Sequence, residues 1–189
     1  MTEEARLEQT DSGLKPATEG WFVVNVGETG WAVHDAFGSG CSFESREAPF
    51  RQFGLNVNVL QPGQPLCLYH EEDAQEDFLV IAGECVLLVN GEERPLKAWD
   101  FFHCPAGVEH VIVGAGDGDG DGDGLAIVLA VGARPEDEHI SYPRSELAER
   151  YGASAVETTT DPQEAYSRAG HDLPSHERPA YWDKLPWAE

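Results

Sequence analysis

The chain has 189 residues, 41% of them hydrophobic, enough for one domain with its own core. Its formal net charge is -23, from 35 acidic against 12 basic side chains, and such a surface repels phosphate backbones and anionic bilayers. Composition therefore argues against nucleic acid and membranes as partners. No stretch approaches the ~20 apolar residues of a membrane helix. The start, MTEEARLEQTDSGLKPATEG, has neither the basic opening nor the apolar run of a secretory signal, so a cytoplasmic location is expected. Cys41, Cys67, Cys85 and Cys104 form no CxxC pair and read as free, mostly buried thiols.

Residues 1–18 are polar, acidic and without periodicity, so they are expected to be disordered. Trp21 to Val26 reads as the first strand, and residues 31–53 as irregular, punctuated by Gly38, Gly40 and Pro49. Gly54 to Leu60 alternates cleanly and predicts a half-buried strand, followed by a Gln61–Pro65 turn. Further strands are predicted over 66–70, 76–82, 86–89, 98–104, 109–113 and 125–131, with Asn90-Gly91 as a hairpin signal. Short strands at this spacing, separated by turn residues, argue for an all-β sandwich or barrel.

The run 114–124 alternates Asp and Gly and reads as a long acidic loop between two strands. Helical signals come only at the end. Pro143 can open a helix through Arg150, and Asp161-Pro162 is a cap and first-turn proline for a second helix ending at Gly170. The tail from His171 carries Tyr181, Trp182 and Trp187, too aromatic for a solvated end. The organisation expected is thus a disordered segment 1–18, a barrel 19–140, and an extension 141–189 packing on the barrel or on a neighbouring subunit.

In the run His70-Glu71-Glu72-Asp73-Ala74-Gln75-Glu76, strand geometry turns positions 70 and 72 to one face. After a short turn Glu76 can point back to the same spot, and the turn Pro105–Glu109 delivers His110 to the start of another strand. Two imidazoles and two carboxylates converging in a barrel suit a divalent ion such as Mn, Fe, Ni or Zn. On an octahedral ion they leave positions open for water or ligand. Asn56 and Asn58 alternate with apolar neighbours and either line that pocket or face solvent.

The stretch Gly63 to Gly83 resembles the first motif of the cupin superfamily, with His70, Glu76 and Gly83 at its histidine, glutamate and closing glycine. Pro105-x-Gly107-x-x-His110 resembles the second motif. Glu72 stands where the family usually has a second histidine, and Trp99 where a glycine usually opens the second motif. The resemblance, over about residues 54–132, is to a single-domain, type-2-like cupin with an RmlC-like jelly roll. It implies a double-stranded β-helix with short C-terminal helices, and one divalent metal ion on His70, Glu72, Glu76 and His110.

The implied function is a metal-dependent enzyme of isomerase or dioxygenase type acting on a small polar molecule. The alternative is a binding or storage module without turnover. Within 54–132 the basic side chains are Arg94 and Lys97, both near the Asn90-Gly91 hairpin, which favours a neutral or weakly charged ligand over a phosphate. Phe78 and Val80 alternate with Leu79 and Ile81, so that strand is apolar on both faces and a homodimer is expected.

Overall fold

The computed structural model describes residues 3–116, 124–137, 139–168 and 174–188. Among them the chain opens with a hairpin, β1 (Leu7–Thr10) and β2 (Gly13–Pro16), followed by β3 (Gly30–His34), β4 (Gly38–Ser42) and β5 (Phe53–Leu60). Next come β6 (Glu71–Glu72), β7 (Glu76–Ala82), β8 (Glu84–Val89) and β9 (Glu92–Lys97). The last strands are β10 (Phe101–Cys104), β11 (His110–Ala115), β12 (Ala126–Ala133) and β13 (Ile140–Ser141). The short helices α1 (Glu146–Glu149) and α2 (Pro162–Ala165) complete the order.

The expected all-β barrel is what forms. One sheet runs β10-β7-β12-β5-β4-β3 and faces a second, β11-β8-β9. Period-two alternation assigns the two sides of each strand. Leu60, Phe78, Val80, Val128 and Ala130 of the large sheet pack against Cys85, Leu87 and Ile112 of the small one, forming the core between the sheets. Asn90 and Gly91 both take positive φ, 47° and 78°, and close the β8–β9 hairpin in register, Val89 opposite Glu92.

Four local expectations are corrected. Residues 7–16, expected to be disordered, pair as the β1–β2 hairpin. What holds it is backbone bonding, which a reading of side-chain periodicity does not register: Leu14 N–H donates to Glu28 O at 2.7 Å and Trp31 N–H to Ser12 O at 2.9 Å. Residues 21–26 make no strand beyond a single bridge from Trp21 to Glu4, and Trp21 and Val23 lie exposed. Residues 31–53 are not irregular throughout, since β3 and β4 form there. Gly38 turns the chain at φ 76°, while Gly40 sits within β4 opposite Asn58, where a Cβ would come 2.8 Å from Asn58 Oδ1. Residues 66–70 run beside β11 through isolated bridges, Pro65 to Val113 and His70 to His110, without forming a regular strand.

The C-terminal aromatic segment covers the outer face of the large sheet. Tyr181, Trp182 and Leu185 are buried with Trp31, Cys41, Val57 and Val59. Ser145 and Asp161 cap α1 and α2 through their side chains, and α1 with the following turn covers the outer face of the small sheet at Ala148 and Ala153. Positions 117–123 of the Asp-Gly run, and the predicted helix end at Gly170 with His171, lie outside the described residues.

Candidate metal centre

His70, Glu76 and His110 come together at one end of the barrel, each offering one ligand atom, with these atoms all within 4.8 Å of one another. The topology explains the meeting. His70 and His110 face each other across the bridge between the 63–70 segment and β11, with ring centroids 4.7 Å apart. Glu76 opens β7 on the opposite sheet and crosses the interior. Its Oε2 lies 3.3 Å from His70 Nε2 and 3.1 Å from His110 Nε2. Both histidines are buried, at 6% and 2% exposure.

At the far side of each ring, Nδ1 meets a backbone carbonyl two residues earlier: Leu68 O at 2.8 Å from His70 and Val108 O at 3.0 Å from His110. A carbonyl only accepts, so this contact favours Nδ1–H and turns the Nε2 lone pair to the shared point. Room for Glu76 comes from Gly132 beside it on β12, where a Cβ would lie 3.2 Å from Glu76 Oε1.

The fourth expected residue, Glu72, stands at the edge of this group. Its Oε1 is 3.5 Å from His70 Nε2, and its side chain is 14% exposed. Glu71, its neighbour on β6, makes no ion pair among the described residues. Ile140 of β13 pairs with Glu72, so the C-terminal extension braces the acidic turn. A pocket of about 410 Å³ opens there, with Glu72, Gly107, His139 and Ile140 in its wall.

Electrostatics tie the cluster together. Burial opposes the Glu76 charge, yet hydrogen bonds from His110 and His70 outweigh it and hold the carboxyl at about 2. Burial likewise opposes a proton on His70, but Cys67, Glu72 and Glu76 together push its pKa well above the usual imidazole value. Two imidazoles and one carboxylate at a single buried point are a donor set that fits a divalent transition ion.

His103 pairs with Asp77 at 2.7 Å on the outer face. Asn56 and Asn58 share the inner parity of Leu60, and the Asn58 side-chain nitrogen is buried without a hydrogen-bond partner. Two features of the site escaped the motif reading. Cys67 and Cys104 each bring a sulfur against a histidine Nδ1. Arg134 lays its guanidinium over Gly54, clasped by Glu44 at both terminal nitrogens. Cys67 and Cys104 stand only three and six positions before their histidines, whereas the Arg134 clasp joins residues 90 positions apart and has no spacing to mark it.

Fold and site define a double-stranded β-helix whose barrel turns two histidines and a glutamate inward. Residues 56–121 match the family model described as Cupin domain. No curated protein matches it. Among solved structures, a sugar phosphate isomerase from a cupin superfamily, from Silicibacter pomeroyi, superposes with a TM-score of 0.52 at 22% identity, covering 67% of this chain and 89% of that one. The polyketide cyclase RemF from Streptomyces resistomycificus gives 0.51 at 14% identity over 62% and 83% of the two chains. An Acidithiobacillus ferrooxidans structure gives 0.41 at 23% identity over 48% of this chain, which spans only 55% of the length of that protein. Likeness at these identities shows the fold alone. No helix among the described residues is long and apolar enough to cross a membrane.

Proposed function

We propose that this chain is a cupin, that it binds one divalent ion, of the Mn, Fe, Ni or Zn kind, through His70, Glu76 and His110 with Glu72 as fourth ligand, and that it is an enzyme of isomerase or dioxygenase type acting on a small polar molecule. The observation that carries the reading is the convergence of two imidazole Nε2 atoms and a carboxylate oxygen within 4.8 Å inside the barrel. Such an ion, when bound, supplies Lewis-acid polarisation of a ligand oxygen. The chain's own part is orientation and charge. Leu68 O and Val108 O hold the rings, Glu76 offsets the cation, and Glu72 stands between the ligand group and the 410 Å³ pocket.

Basic groups are sparse around the pocket. Arg94 lies on β9 against Glu92, and Arg134 is engaged by Glu44, so a neutral or weakly charged ligand fits better than a phosphate. Metal analysis of protein purified without chelators is the test. About one ion per chain is expected, and metal-free protein that takes up no added divalent ion would overturn the reading. Turnover of candidate substrates with and without oxygen then separates the two reaction types.

Glu71 and Glu72 give an internal comparison. Glu72→Gln removes one ligand charge and is expected to weaken Co(II) or Ni(II) binding by roughly 10-fold or more, as loss of a coordinating or orienting group does. Glu71→Gln is expected to change it less than twofold. Equal, small effects in a metal titration would remove Glu72 from the ligand set.

The homodimer is proposed on the outer face of the large sheet. Phe101, Leu79 and Leu129 stand opposite one another across β10, β7 and β12, on the face whose far side the C-terminal segment covers. Phe101 is 62% and Trp99 74% exposed. Trp99 also holds a φ of 76°, the left-handed backbone of the glycine it replaces. A bulky residue there costs ~1–2 kcal/mol, so Trp99→Gly should raise the melting temperature while weakening self-association. Light scattering with thermal melts checks both, and a monomeric mass for the parent protein at every concentration would exclude the dimer.

A further inference from the structure

The two histidines of the centre share an arrangement that their backbone carbonyl contacts do not account for. His110 Nδ1, already 3.0 Å from Val108 O, also lies 3.3 Å from Cys104 Sγ. His70 Nδ1, 2.8 Å from Leu68 O, also lies 3.6 Å from Cys67 Sγ. The cysteines come from different elements, β10 and the segment before β6, so one local turn geometry does not produce both contacts. Cys104 sits on β10 opposite Glu76, at 2% exposure, and Cys67 is half-buried.

We propose that Cys104 and Cys67 are positioning residues for the metal centre, each holding its histidine ring so that Nε2 faces Glu76. The inference rests on the metal-site reading above. A carbonyl oxygen and a thiol sulfur can both accept, so the proton that the carbonyl contact favours on Nδ1 is shared between the two. Two contacts on one ring nitrogen fix the ring more firmly than one, with Nε2 left facing Glu76. Outer-shell partners of this kind orient the ligand and tune its basicity.

Co(II) titration of the full-length protein under reducing conditions tests the assignment, using Cys104→Ala, Cys104→Ser, Cys67→Ala and Cys67→Ser. The alanine variants are expected to bind Co(II) roughly 10-fold more weakly, and the serine variants, which keep a donor and acceptor, to lie between alanine and the parent protein. Circular dichroism and melting confirm folding, and the half-buried Cys67 pair keeps the test open if a change at Cys104 unfolds the barrel. If the sulfurs merely fill space, serine should be no better than alanine, and that result overturns the proposal. An intense sulfur-to-cobalt charge-transfer band also overturns it, by placing the sulfur on the ion. If the parent protein binds no Co(II), the metal reading itself fails. If it binds tightly and all four variants match it, only the positioning role fails.

Discussion

His110→Ala is expected to strip the protein of most of its metal while leaving the β-barrel folded. The residue has two roles that the variant separates. Its Nε2 lies 3.1 Å from Glu76 Oε2 at the shared point, so its removal deletes one of three converging donors. Affinity for a divalent ion should fall by at least about 100-fold, beyond the roughly 10–100-fold that follows from disturbing an outer-shell partner. The ring also fills space at 2% exposure, 5.4 Å from the Phe78 ring and 5.8 Å from that of Phe102. The cavity left by alanine costs about 2–3 kcal/mol, well under the stability of most folded domains of this size. His110→Gln, closer in volume, should lose metal with a smaller stability cost. Elemental analysis beside circular dichroism reads both effects. Full occupancy in either folded variant would reject His110 as a ligand.

Trp182→Ala should produce the largest loss of stability among single changes outside the barrel strands. The indole is 5% exposed and stands edge-on to Trp31 at 5.3 Å, with the Arg178 guanidinium 4.8 Å from its ring. Tyr181 beside it joins Ser39 through a 2.6 Å hydroxyl contact, and Trp187 stacks on Trp31 at 5.4 Å. The segment therefore covers Trp31, Val57 and Val59 on the outer face of the large sheet. Truncating a buried tryptophan to alanine costs about 3–5 kcal/mol, and urea unfolding should show a lower midpoint at nearly unchanged slope. Metal affinity should stay close to that of the parent protein, because the tail packs on the face opposite the ligands. An unchanged midpoint would mean that the aromatic segment is dispensable to the fold.

The elements most legible from sequence were those where local chemistry and tertiary structure agree. Gly54–Leu60 alternates with a period of two because Val57 and Val59 pack under the C-terminal segment while Asn56 and Asn58 take the other side. Glu76–Ala82 is apolar on both faces because Phe78 and Val80 enter the core between the sheets while Ile81 packs on the outer cluster. Asn90-Gly91 specifies its own turn, since both residues reach positive φ at little cost. The weaker segments failed for a common reason. Trp21–Val26 is apolar in composition but lacks a strand to pair with, while the polar 7–16 hairpin and the glycine-rich β4 are held by backbone hydrogen bonds. Side-chain hydrophobicity does not report on those bonds.

The site divides along the same line. Motif spacing singles out His70, Glu72, Glu76 and His110, because strand parity turns positions 70 and 72 to one face and short turns deliver Glu76 and His110 to strand starts. Spacing does not say how close they come. Only the pairing of the 63–70 segment with β11, set against β7 across the core, brings His70, Glu76 and His110 within 4.8 Å and leaves Glu72 at the edge. Tertiary structure alone also decided that Gly132 makes room for Glu76 and that Glu44 clasps Arg134. These contacts join residues many positions apart, and a distant neighbour has no local signature. Strand registry brings it into place only once the whole barrel has closed.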